Sequence, residues 1–198
     1  MKIIACILLL GMVLPVLAAT PASESYYGNP NPAHLSAVER HHLPQAREKV
    51  RWENPSYAWS DVNFILRHFP NHPDALMLAI DLSFKSDDMH HVKELFEKAV
   101  FFDPEPAAPW VIYGLFYHRH GQLSEAVKRY LEALKRDPDL AEAHYNLGLA
   151  YFKLKQYEAA NQAAQKAYAL GYPLPGLRRQ LKRADKWQPA SGMAADKP

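Results

Sequence analysis

WVIYGLFYHRHGQLSEAVKRYLEALKRDP, residues 110–138, is followed by HYNLGLAYFKLKQYEAANQAAQKAYALGYP, residues 144–173, and the two stretches lie in register at a spacing of 34. Trp110, Tyr113, Gly114, Tyr117, Ala126, Tyr130, Ala133 and Pro138 recur as His144, Leu147, Gly148, Tyr151, Ala160, Ala164, Ala167 and Tyr172, with Pro173 one place late. One period earlier stand Leu76, Ala79, Ile80, Ser83, Val92, Phe96, Ala99 and Pro104. Self-similarity at a fixed period of this length marks stacked supersecondary units.

Within one unit, the spacing of Trp110, Tyr113, Gly114 and Tyr117 puts them along one side of a helix, and Ala126, Tyr130 and Ala133 do the same on a second. Gly114 and Ala126 are small where two helix axes cross, which lets Trp110, Tyr117 and Tyr130 pack around the contact. His120, Gly121 and Gln122 form the turn between the helices, with glycine supplying a positive φ. Asp137-Pro138-Asp139 ends the second helix, because proline lacks an amide hydrogen and restricts the residue before it. Asp139 with Glu142 reads as a capping pair that opens the next helix.

The unit at 73–106 is weaker, with Ile80 at the glycine position and Ser83 at an aromatic one. Before it, Ala58, Val62, Ile65 and Pro70 keep the second-helix spacings while Pro44 interrupts the first helix, so 39–72 reads as a divergent half-repeat. After the last unit, Leu177, Leu181 and Ala184 recur on one side of a helix, with Arg178, Arg179, Lys182, Arg183 and Lys186 mostly on the other. Residues 175–187 are expected to form a capping helix, apolar toward its neighbour and charged toward water.

These residues at this spacing resemble the tetratricopeptide repeat (TPR) family. The resemblance implies an all-α helix-turn-helix solenoid with repeats at 73–106, 107–140 and 141–174, flanked by the half-repeat and the cap. The segments 69–76 and 170–177 also resemble small exported bacterial proteins of this family, which implies an envelope, periplasmic location.

Lys2, the apolar run from Ile3 to Leu14, then Pro15 and Val16-Leu17-Ala18 read as a secretory signal peptide, 1–18, cleaved after Ala18. Twelve apolar residues are short for a membrane span, so an uncleaved anchor is the less favoured alternative. The single cysteine, Cys6, sits inside the apolar run, and the mature chain contains none. That excludes disulfides, thiol nucleophiles and cysteine-based metal sites from it. A formal net charge of +2 in 198 residues gives neither a nucleic-acid footprint nor a sink for acidic ligands. Residues 19–38, with Pro21, Gly28, Pro30 and Pro32, are expected to be an extended, mostly unpaired leader, and 188–198 a disordered tail.

By resemblance, peptides bind along the concave side of the first helices, on residues just after the packing positions. Here these are Met77, Leu78, Asp81, Phe84 and Lys85, then Val111, Ile112, Leu115, His118 and Arg119, then Tyr145, Asn146, Leu149, Phe152 and Lys153. Nine of the fifteen are apolar, unlike a solvated face. Three readings stay open: neighbouring helices bury part of the set, the set forms an apolar groove for a partner's peptide or helix, or the leader folds over it through Tyr26, Tyr27 and Leu35. Val111 and Leu115 stand where the family's carboxylate-clamping pattern requires cations, which argues against such a clamp.

Other chemistries find little footing. His41-His42, His90-His91 and His118 with His120 suggest metal, and His90, Glu94 and Glu97 share a helix side, yet polar residues are expected on a solvated face. Ser83, Asp87 and His91 can be drawn as nucleophile, orienter and base, but no nucleophile elbow or glycine-rich oxyanion loop accompanies them. Phosphate loops and dinucleotide fingerprints are absent from the sequence. The expectation is a non-enzymatic, cofactor-free, metal-free interaction module that binds another envelope protein; the alternative is a membrane-peripheral structural protein held by the basic cap or an uncleaved anchor. Replacing the small crossing residue in Ala126→Arg overpacks the stack and buries a charge. Circular dichroism should show its thermal transition lost or greatly lowered, and an unchanged melt would mean the register is wrong.

Overall fold

The computed structural model describes residues 22–52 and 55–189, and among them every regular element is helical. The expected signal peptide and residues 190–198 of the expected tail lie outside the described residues. Helix α1 (Pro32–Ala37) runs through a π-helical turn, Val38–His42, into α2 (Leu43–Trp52). The helices α3 (Pro55–His68), α4 (Pro73–Ser86), α5 (Met89–Phe102), α6 (Ala107–Arg119), α7 (Leu123–Arg136), α8 (Ala141–Lys153), α9 (Tyr157–Ala169) and α10 (Gly176–Arg183) follow. First helices α4, α6 and α8 open at Pro73, Ala107 and Ala141, and second helices α3, α5, α7 and α9 at Pro55, Met89, Leu123 and Tyr157, each series stepping by 34. The all-α solenoid is thus built of helix pairs laid side by side.

Close approach at one point sets each pair. A Cβ on Gly114 would stand 2.5 Å from Tyr130 Cδ1, inside the space the buried phenol ring occupies. One unit later Ala164 replaces that tyrosine, and the gap at Gly148 is filled from outside the unit: a Cβ there would lie 2.5 Å from Leu177 Cδ2 of α10. The cap docks because the last repeat lacks its own ring. Leu177 and Leu181, both fully buried, hold it against α8 and α9.

In the weaker unit Ile80 occupies the crossing, and α4 and α5 approach less closely than α6 and α7. The aromatic missing at Ser83 is supplied by the next unit. His120, in the turn after α6, places Nε2 2.8 Å from Ser83 Oγ and stacks on Phe84 at 4.1 Å. The Ser83 hydroxyl donates to the Ile80 carbonyl at 2.6 Å, and the side chain is buried, so it is committed to packing. His91 lies elsewhere, edge-on to Trp59, so Ser83, Asp87 and His91 do not assemble as the drawn triad.

Where a half-repeat was expected, two helices stand. Pro44 lies inside the continuous helix directly after the π-helical turn, whose shifted hydrogen bonding is where such an interruption is accommodated. Ala46 takes the small crossing position, and His42 and Lys49 occupy the registers of Trp110 and Tyr117. Both reach buried Asp61 on α3, His42 Nδ1 at 3.3 Å and Lys49 Nζ at 2.7 Å. Asp61 is in the register of Arg129, which stacks over Tyr113 and Tyr117 at 4.8 and 5.8 Å in its own unit. An ionic cluster replaces an aromatic one.

Two local expectations need correction. The leader is anchored: Tyr26 donates its backbone N–H to Asn71 Oδ1 at 2.8 Å and sets its ring 4.7 Å from His72, while Asn71 Nδ2 donates to Ser25 Oγ at 2.9 Å. Ser25 Oγ in turn donates to Asp103. These contacts tie it to the turns after α3 and α5, no described leader residue lines the large hollow between α2, α4 and α6, and Pro32–Ala37 is helical under an Asn31 cap. Nor does Asp139 cap α8; Leu140 holds that position, Asp139 accepts from Lys166 Nζ at 2.8 Å, and Asp137 Oδ1 takes the Asp139 N–H at 3.1 Å. Asp137, the aspartate before the proline, closes an Asx turn over it.

Truncating Leu177→Ala empties the Gly148 gap and should cost about 2–5 kcal/mol in urea unfolding. Hydrogen exchange should rise first in α10 and α9, and equal protection in the variant would show that Leu177 does not hold the cap.

Candidate functional site

The C-terminal turns of α2, α4 and α6 wall an open hollow of about 1000 Å³. From α4 it takes Leu78, Asp81, Phe84 and Lys85, and from α6 Arg119. From α2 come Arg47, Glu48, Val50, Arg51 and Trp52, with Pro44 beneath. Two aromatic platforms face it: Trp52, 76% exposed, and Phe84, 48% exposed. Phe84 is held rigidly, with His120 stacked on its ring and the Arg119 guanidinium 5.0 Å from its centroid. An exposed ring fixed as Phe84 is offers contact area at low entropic cost.

The charges around the hollow are partly spent. Arg119 bonds Asp81 at 2.7 Å and Arg47 bonds Asp74 at 2.8 Å. Lys85 Nζ donates to the Val50 carbonyl at the end of α2, and Arg51 lies 5.8 Å from the Trp52 ring. Among the described residues neither Lys85 nor Arg51 has a carboxylate partner, so the hollow keeps a cationic side.

The fifteen sequence-derived groove residues divide. Leu78, Asp81, Phe84, Lys85 and Arg119 come together in the hollow, and Met77 packs half-buried beside them. Val111 is buried, Ile112 and Leu115 pack against the core, and His118 is buried with Nδ1 3.4 Å from the Tyr130 hydroxyl. Tyr145 is buried and stacked on Tyr172 at 4.3 Å, while Leu149 and Phe152 join the cluster under the cap. Asn146 is half-buried and Lys153 exposed. The α2 residues were missed, although stepping back 34 from Asp81 and Lys85 reaches Arg47 and Arg51; the polar residues at the packing positions of α2 hid that register.

Two buried imidazoles set the acid response. Burial pushes His72 down to about 4; its Nδ1 accepts from the Ala75 N–H at 3.4 Å, while Nε2 is enclosed without a hydrogen-bond partner. Burial, with the Lys153 charge, pushes His118 down to about 4 as well. Among the described residues no three metal-ligating side chains converge, and His90 only approaches Glu94 at 3.6 Å on an exposed helix face.

Family models for the TPR repeat and the tetratricopeptide repeat match residues 114–155 and 141–170. Intraflagellar transport protein 70A of Danio rerio is 29% identical over 100 residues, covering 49% of this chain and 14% of that protein. A surface lipoprotein assembly modifier of Pasteurella multocida (strain Pm70) is 21% identical over 148 residues, 75% of this chain and 29% of that protein. The chain thus spans less than a third of the length of either relative. The structure of Pseudomonas aeruginosa pilF superposes with a TM-score of 0.58 at 20% identity, over 76% of this chain and 70% of that one, and shares the fold.

Because the folded-state values of His72 and His118 lie below the ordinary 6.5, the unfolded chain binds more protons as pH falls. Their contribution is intact above about pH 6.5 and drains between there and about pH 4. Urea unfolding should show stability falling between pH 7.5 and 4.5, and His118→Leu should flatten that slope.

Proposed function

The chain carries tetratricopeptide repeats, and from that premise we propose a non-enzymatic interaction module of the bacterial cell envelope, an adaptor or assembly factor that holds a peptide or helix of another protein. The observation that carries this reading is the hollow between α2, α4 and α6, with Phe84 held as a packed anchor and Trp52 exposed beside it among cations. A concave site with exposed aromatic rings suits a bulky apolar side chain of a partner. The groove is concentrated at the N-terminal end of the solenoid, since most of the candidate residues on α6 and α8 are engaged in packing.

The envelope location is supported by the signal-like start of the sequence and by the resemblance to a lipoprotein assembly modifier. No helix among the described residues is long and apolar enough to cross a membrane. The basic face of α10 offers weaker support for a membrane-peripheral role: Arg178 stacks over Tyr168 and Trp187 at 4.4 and 5.4 Å instead of reaching outward.

Affinity capture from envelope fractions, read by mass spectrometry, tests the module. Partners retained by the wild type should be lost with Phe84→Asp and reduced with Trp52→Ala while circular dichroism stays unchanged; retention by both variants would remove the hollow from consideration. Fractionation with N-terminal sequencing should find a soluble periplasmic form beginning at Ala19.

A further inference from the structure

The four first helices carry a cation at one and the same register. Arg51, Lys85, Arg119 and Lys153 stand 34 residues apart, each in the last turn of its helix and each exposed. The first three line the hollow together. Lys153 lies on α8, which packs beside α6, and its charge reaches His118 on that helix. The row therefore crosses all four units.

Basic residues at helix C-termini favour the dipole and the last carbonyls, and that explains the Lys85 bond to Val50. It does not explain the register. On the second helices Arg136 ends α7, but the matching residue is Phe102 one unit earlier and Leu170 one unit later, and α5 has no basic residue in its last turn. The periodic cation belongs to the first helices, on the side where the hollow opens.

We propose that this ladder binds an extended acidic segment of a partner protein, with the Trp52 and Phe84 platforms taking an apolar side chain beside the carboxylates. The proposal rests on the interaction-module reading and names the chemistry of its partner. Side-by-side helices are about 8–10 Å apart, and a peptide in the extended polyproline-II form advances about 3.1 Å per residue with three residues per turn, so every third side chain falls on one face about 9 Å further on. The rungs thus match carboxylates on every third residue of a segment in that form. Asp81 already occupies Arg119, so that rung is the weakest and the ends, Arg51 and Lys153, discriminate best. Near charge balance over the whole chain favours such a segment over a nucleic acid.

Fluorescence anisotropy on the mature protein, with a labelled twelve-residue Asp-Leu-Ser repeat as probe, tests this. Binding should weaken steeply with salt, fall about fivefold with each of Arg51→Glu and Lys153→Glu, as expected for one exposed ion pair, and fall less with Arg51→Gln. A scrambled peptide with its aspartates clustered should bind more weakly. If an Asn-for-Asp peptide binds equally well, or the reversals leave affinity unchanged, the ladder is overturned while the hollow stands. If the Asp and Asn peptides both fail to bind and the wild type captures no partner from envelope fractions, the module reading itself falls. Tighter binding of a same-length oligodeoxynucleotide than of the acidic peptide also overturns the proposal.

Discussion

At the crossing of α6 and α7 a hydrogen atom stands where any other residue puts a carbon, and the Tyr130 ring occupies the space. The occupants of the equivalent positions, Ala46, Ile80, Gly114 and Gly148, govern how closely each first helix can meet its partner. Where the gap has no ring of its own, Leu177 arrives from α10; where the gap is closed by Ile80, the pair loosens and His120 restores an aromatic surface from the neighbouring unit. Helix-pair geometry in this solenoid is thus set locally and repaired by neighbours.

Much of this was legible because glycine, alanine and aromatic residues recur at fixed positions in the third and fourth pairs. The N-terminal pair was read as half a unit for a specific reason: His42, Lys49 and Asp61 perform with charge what Trp110, Tyr117 and Arg129 perform with rings. A hydrophobic template cannot detect that exchange, although the spacing of Ala58, Val62 and Ile65 carried the second helix correctly. The groove was legible only in part. A residue just past a packing position faces the hollow at Phe84, yet at His118 the same register turns into the Tyr130 contact and at Phe152 into the cluster under the cap. Neighbouring helices, which no single-helix pattern contains, decide the difference.

The hollow combines features seldom found together on a surface that meets only water. Its rings are exposed, Phe84 held by His120 and Arg119, and Asp81 is bonded to Arg119 while Lys85 and Arg51 keep no carboxylate among the described residues. The proposed guest, with an apolar side chain and negative charge, is complementary to such a surface. Fold-level likeness to pilF and sequence likeness to much longer relatives place the architecture in good company without naming that guest.

The imidazole of His120 has a consequence for how the array comes apart. It belongs to the turn after α6 yet completes the packing of Ser83 and Phe84 on α4, whereas the meeting of Gly114 and Tyr130 lies wholly inside its own pair. At the crossings, as distinct from the Phe96 stack on Tyr113 between the pairs, dependence therefore runs one way. Unravelling of the third pair deprives the second of its missing ring, while fraying of the second leaves the third its own crossing, so the array has a built-in polarity with its most self-sufficient link near the middle.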